Sequence, residues 1–179
     1  MTTIGSTRAV VATHEQLIAA FFQASAGKWH SERRYYTLPQ GKTKEVCSRL
    51  EIELLDRGCE ELHHLEALHQ LDADALVCGT RVSWCSIDAE TGRLQSEDST
   101  LFGALGNQLY RDRGFAIDQP VAAQFHFINP QTLCLRTEYK GSSFEEELKL
   151  IGDRYRTRQT IVARAGEQKL IGQYLETRL

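Results

Sequence analysis

Prolines are scarce in this 179-residue chain, cysteines are few and widely scattered, and neither charge sign dominates. Each shortage excludes something. Three prolines and 13 glycines without a repeat exclude collagen-like and low-complexity chains. No apolar run approaches the ~20 residues of a membrane-spanning helix. The opening Met1 to Arg8 lacks the basic segment and apolar block of a secretory signal. With 21 basic against 24 acidic residues, well mixed, no face is expected to bind nucleic acid or an anionic membrane. Five cysteines, an odd number without a C-x-x-C pair, fit neither a disulfide framework nor a structural zinc site. They are expected to be reduced and mostly buried. The chain reads as one domain over residues 1–179, soluble and intracellular, with a core of its own.

What is present begins with a helix. Thr13 and Gln16 form a capping-box pattern, Leu17, Ile18, Phe21 and Phe22 recur at helical spacing, and Gly27 ends the run. A second helical stretch, Gly58 to His69, carries His63, His64 and His69. Its Leu62, Leu65, Ala67 and Leu68 supply an apolar stripe, so the histidines read as a solvated face and no metal is assigned. The rest alternates as strands: Trp29–Leu38, Val46–Leu55, Ala75–Asp88, Leu94–Phe102, Asn107–Arg113, Val121–Asn129, Thr132–Lys140, Phe144–Ile151, Tyr155–Ala163 and Lys169–Arg178. Turn residues separate them, as in Asn129-Pro130 and Gly152-Asp153. About ten short strands at regular intervals, not interleaved with helices, predict an all-β antiparallel sandwich or barrel.

Alternation then sorts the faces. Phe144, Glu146, Leu148 and Leu150 share one side, so a carboxylate stands on an apolar face. Either Glu146 pairs with an interior cation or desolvation raises its pKa. Arg154, Arg156 and Arg158 follow at period two. Spacing leaves two readings of that row, a solvated stripe or an inward set able to neutralise Glu146 and bind an acidic ligand. Tyr174, Glu176 and Arg178 share a face of the last strand; Trp29 and Arg33 share one of the first. Val82, Trp84 and Ser86 form another set, and in a hollow barrel the core and the ligand wall are one surface.

Gly27-Lys28-Trp29, opening the first strand after a short helix, resembles the G-x-W entry of the calycins. Val82-Ser83-Trp84, Leu109-Tyr110-Arg111-Asp112-Arg113-Gly114-Phe115, Leu135-Arg136-Thr137-Glu138-Tyr139, Phe144-Glu145-Glu146-Glu147 and Arg154-Tyr155-Arg156-Thr157-Arg158 follow in order. From Phe21 to the C-terminus the chain thus resembles the S/U-type phycobiliprotein lyases, which attach linear tetrapyrroles (bilins) to cysteines of light-harvesting proteins. Tyr36-Thr37 after the first-strand arginine, and the ending Ile171 to Glu176, bring it closer to the U-like branch.

The resemblance implies a lipocalin-like closed antiparallel barrel of about ten strands. It implies Glu146 and Arg156 as catalytic residues, and Arg158, Trp84, Arg33 and Glu176 as substrate-binding ones. No cofactor stays bound; a bilin of the phycocyanobilin type is a transient substrate. The partners it implies are phycobiliprotein subunits of the phycocyanin or allophycocyanin type, and a second copy or an S-type lyase in a dimer. The compartment would be the cyanobacterial cytoplasm or the plastid stroma. Protonation of the bilin eases thiol addition, so a Glu146 of raised pKa is expected to be the proton source. Two other functions suit the same pocket: a carrier of a fatty acid or other hydrophobic ligand, and a supporting subunit of a heterodimeric lyase.

Overall fold

A computed structural model describes residues 12–115 and 117–179. The N-terminal stretch read for a secretory signal lies outside them. Helix α1 (His14–Ser25) is followed by β1 (Gly27–Thr37) and β2 (Lys42–Leu55), then by α2 (Glu60–Leu68). The remaining strands are β3 (Cys78–Asp88), β4 (Leu94–Leu105), β5 (Gln108–Arg111), β6 (Val121–Asn129), β7 (Thr132–Tyr139), β8 (Ser142–Ile151), β9 (Tyr155–Arg164) and β10 (Glu167–Arg178). Every neighbour in sequence is a neighbour in the sheet, and β1 pairs β10 antiparallel from Trp29–Arg178 to Thr37–Leu170. The sheet is therefore a closed ten-strand barrel, and closure removes its edges. No helix among the described residues is long and apolar enough to cross a membrane.

Helix α1 starts where its capping box says it should. The Gln16 amide donates to the Thr13 hydroxyl at 3.2 Å, and the Thr13 amide to the Gln16 side chain at 2.9 Å. Ile18, Phe21 and Phe22 turn into the barrel and close one end, against Leu50, Phe125, Leu133 and Leu150. The chain then reverses into β1 at Gly27, whose φ of +120° is open only to glycine at low cost. Trp29 is wholly buried and its indole donates to the Ser25 carbonyl at 2.9 Å. Arg178 covers the same ring at 4.2 Å and donates to the Ala24 and Ala26 carbonyls, left free by the helix end.

Helix α2 packs outside the wall. Its Leu62 and Leu65 form a separate cluster with Leu55 and Leu76, over a surface bared by Gly79 on β3 and Gly103 on β4. A Cβ on Gly79 would lie 2.6 Å from a Leu62 methyl, so the glycine is what lets the helix approach.

Strand bounds differ from the alternation reading at informative places. The segment before β3 is not strand, because Glu66 accepts from the Asp74 and Leu76 amides and folds it into a loop. β5 stops at Arg111, where Asp112 turns aside to accept from the Thr100 hydroxyl and Leu101 amide. Arg154 lies in the β8–β9 turn, exposed, so the arginine row shortens to Arg156 and Arg158. All five cysteines are free, but none is fully buried: Cys85 is exposed and the others half-buried. Cys47, Cys85 and Cys134 fall on the outward positions of their strands, opposite the cavity-lining alternates Leu50, Trp84 and Leu133.

Candidate functional site

The alternation that closes the wall also fills its inner face with an unusual mixture. Inward positions of β8, β9 and β10 supply Glu146, Arg156, Arg158 and Tyr174 to a cavity of about 430 Å³. Arg33 reaches it from β1, Arg111 from β5 and Trp84 from β3. Apolar side chains of α1 and the facing strands, Phe21, Leu50 and Leu133 among them, complete the lining.

At the depth of Trp29 lies a sealed pair. Arg156 Nε donates to Glu176 Oε2 at 2.5 Å, with side chains only 6% and 1% exposed. The other oxygen of Glu176 accepts from Ser31 at 3.2 Å, and Ser31 in turn accepts from Arg33 Nε at 3.2 Å. The Arg156 guanidinium also covers the Trp29 ring at 5.2 Å. Arg156 faces the cavity, whereas Glu176 stands behind it and is not part of the lining. Its contact with a ligand is therefore indirect, through Arg156 and through Ser31 to Arg33.

Above that layer Arg158 forms an ion pair with Glu146, whose side chain is 8% exposed. Thr160 adds a hydroxyl at 3.3 Å. Burial pushes the Glu146 carboxyl upward, but the Arg158 and Arg111 guanidiniums and the Arg158 and Thr160 hydrogen bonds outweigh it. The net direction is below the ordinary glutamate value. The two alternatives left open for this carboxylate are thus decided: Glu146 has an interior cation and is ionised at neutral pH, not a carboxylic acid of raised pKa. Arg158 is burdened by the same desolvation, yet Glu146 holds it firmly protonated.

Tyr174 is the hinge between the two layers. Arg33 and Arg158 sit over its ring at 5.3 and 5.1 Å, and Tyr35 meets it edge-on at 5.8 Å. Burial raises its phenol pKa, so the ring stays neutral. Trp84 is half-buried and donates its indole N–H to Ser96 at 3.1 Å, which holds the ring against the cavity wall. Phe115 stacks obliquely on Phe144 near the rim and is 47% exposed.

Five of the six residues singled out in the sequence come from the contiguous strands β8, β9, β10 and β1, inside the barrel or directly behind its lining, whereas Trp84 faces them from β3, five strands away from β8. Arg111 and Tyr174 belong with them and were not singled out. The signal for Arg111 was the one that exposed Glu146, a charge sharing a strand face with an apolar residue, here Leu109. Two of the α2-region histidines are engaged elsewhere, His63 with Asp74 at 2.9 Å and His69 with the Arg111 carbonyl at 2.8 Å.

The sequence and the fold both recur in known proteins. A 61% identical protein of Nostoc sp., named as a candidate phycocyanobilin lyase CpcS 2, aligns over 92% of each chain. A protein of Thermosynechococcus vestitus named chromophore lyase CpcS/CpeS is 33% identical over 83% of this chain and 85% of its own. The structure of the S-type phycobiliprotein lyase CPES from Guillardia theta superposes with a TM-score of 0.73, at 19% identity, over 89% of this chain and 90% of that one. It shares the barrel fold. The model of the CpeS-like protein family matches residues 17–179. The chain belongs to the CpeS-like family.

Proposed function

We propose that this protein is a phycobiliprotein chromophore lyase. It takes a linear tetrapyrrole of the phycocyanobilin type into the barrel and catalyses its attachment to a cysteine of a phycobiliprotein subunit of the phycocyanin or allophycocyanin type. One observation carries the reading: an arginine-lined cavity of about 430 Å³, with an ionised glutamate in its wall, in a chain whose relatives are named chromophore lyases. The volume lies within the ~300–1,000 Å³ of small-molecule pockets.

The reaction adds the acceptor thiol across the ethylidene group on ring A. A C–S bond forms at the exocyclic carbon, the double bond becomes single, and a proton ends on the ring carbon; no oxidant is consumed. Protonating the conjugated pyrroles withdraws electrons from the attacked carbon. Glu146 favours that state as a carboxylate beside the pyrrole N–H groups, stabilising the cation. Arg156 and Arg158 offer the pigment's propionates the N–H groups not used by their glutamates, and Arg33 adds a third cation. Glu176 positions Arg156, and Trp84 packs on a pyrrole ring and excludes water. Holding the pigment in one extended conformation selects the attacked carbon and its face. The protein would work beside its phycobiliprotein partners, in the cyanobacterial cytoplasm or plastid stroma, alone or dimerised with itself or an S-type lyase.

The test mixes purified protein with free bilin and then adds apo-phycobiliprotein, with and without an S-type lyase. A red-shifted complex followed by a denaturation-resistant, zinc-fluorescent adduct is expected. An adduct only with the partner present would make this chain a supporting subunit. Bilin binding without an adduct in either arm would leave a carrier of hydrophobic ligands and defeat the proposal.

A further inference from the structure

The inward arginines are not equivalent. Arg156 and Arg158 are each matched by a glutamate, and Arg113 by Asp98 and Asp112. Arg33 and Arg111 have no carboxylate within ion-pair distance among the described residues. Arg33 still donates to Ser31 and lies over Tyr174. Arg111 has less. Its Nε, like that of Arg158, is sealed from solvent without a hydrogen-bond partner, but Arg111 has no glutamate to close on and its guanidinium rests on the Phe102 ring at 4.8 Å. Burial lowers its pKa, but arginine stays charged at neutral pH.

A sealed guanidinium N–H without an acceptor weakens a fold, and Glu146, though it attracts Arg111, is not within ion-pair distance. Phe102 offers the guanidinium a ring face, not an acceptor. The two unmatched cations also stand apart: at least three strands separate β5 from β1 whichever way the barrel is followed. Two separated positive charges, in a cavity whose other ion pairs are balanced, suit a ligand with two separated carboxylates.

We infer that Arg111 is a ligand-anchoring residue, taking one carboxylate of a dianionic ligand while Arg33 takes the other from a different wall. Arg156 and Arg158 then contribute hydrogen bonds but little net charge. This rests on the bilin reading above in one respect, that the dianion is the pigment and its carboxylates the two propionates.

The experiment compares wild type with Arg111→Met, using free bilin and its dimethyl ester, and records the thermal midpoint of each ligand-free protein. Arg111→Met should bind the free acid roughly 10- to 100-fold more weakly, the scale of a lost charge-assisted hydrogen bond. It should bind the ester as wild type does, and its midpoint should hold or rise because an unsatisfied buried donor is gone. Equal losses for acid and ester, no loss for either, or a lowered midpoint or failure to fold would each overturn the inference. If wild type takes up no bilin, the lyase reading fails by itself. The doubly anionic dye bis-ANS then decides the role of Arg111: weaker uptake by Arg111→Met than by wild type supports it, and equal uptake overturns it.

Discussion

Glu146 and Arg158 are diagonal neighbours on adjacent strands: Glu146 stands opposite Thr160, and Arg158 opposite Leu148, on the same inward face. Their ion pair closes across that diagonal inside the barrel, where water screens it weakly. The consequence is chemical. A carboxyl that burial pushes upward is held ionised instead, so under the proposed function it stabilises a proton on the pigment in place of donating one.

Replacing Glu146 by glutamine keeps the volume and an acceptor oxygen but removes the charge. Bilin affinity should hold or rise, since the cavity loses a negative charge. Transfer should slow by roughly 10²-fold or more, the scale of a lost electrostatic stabiliser of the reacting group. Stopped-flow binding and adduct yield on the same preparation check both; unaltered transfer would remove Glu146 from the mechanism.

The pH dependence of stability follows from the depressed pKa of Glu146. Its stabilisation is fully present above the ordinary value of 4.5 and is lost as pH falls through the lower folded-state value. Urea midpoints of wild type and Glu146→Gln should therefore differ most near neutrality, where the variant leaves Arg158 unpaired, and converge in acid. A gap that widens in acid would contradict the pairing.

Gly79→Ala addresses the outer layer without touching the cavity. The added methyl meets the Phe102 carbonyl, which is fixed in the sheet, and a Leu62 methyl at 2.6 Å. A loss of about 1–3 kcal/mol is expected from such overpacking, measured by urea unfolding. Bilin binding should survive, because Gly79 points away from the pocket.

The thiols separate nucleophile from bystander. Burial pushes Cys78 up to about 11, leaving it a poor nucleophile near neutral pH, while Cys85 is exposed. Alkylation should reach Cys85 before Cys78, followed by mass spectrometry. A folded variant lacking all five cysteines should still transfer bilin, because the attacking thiol belongs to the acceptor. Lost transfer with intact binding would instead point to a covalent intermediate on this chain.

The walls of the barrel and the residues that share each strand face were legible in the residue order, while the interior side of the arginine row was left open. Period-two alternation sets side-chain direction locally, so Trp29 could be grouped with Arg33, Glu146 with Leu148, and Arg156 with Arg158 before any strand was paired. The capping box of Thr13 and Gln16 is likewise a matter of four consecutive residues. Arg154 was misplaced because alternation runs on past a strand's end, and the turn that stops it depends on the neighbouring hairpin. The cysteines are free as expected, but their burial was misjudged because small apolar residues tolerate either side of a wall.

What sequence by itself determined is which residues share a face of each strand; which of those faces turns inward came with the closed sheet. What only the tertiary structure decided is who partners whom there. Glu176 meets Arg156 and Glu146 meets Arg158 through strand register, while Arg111 is left without a carboxylate. Ionisation and ligand affinity depend on distances between strands far apart in the chain, and those distances exist only once the sheet has closed.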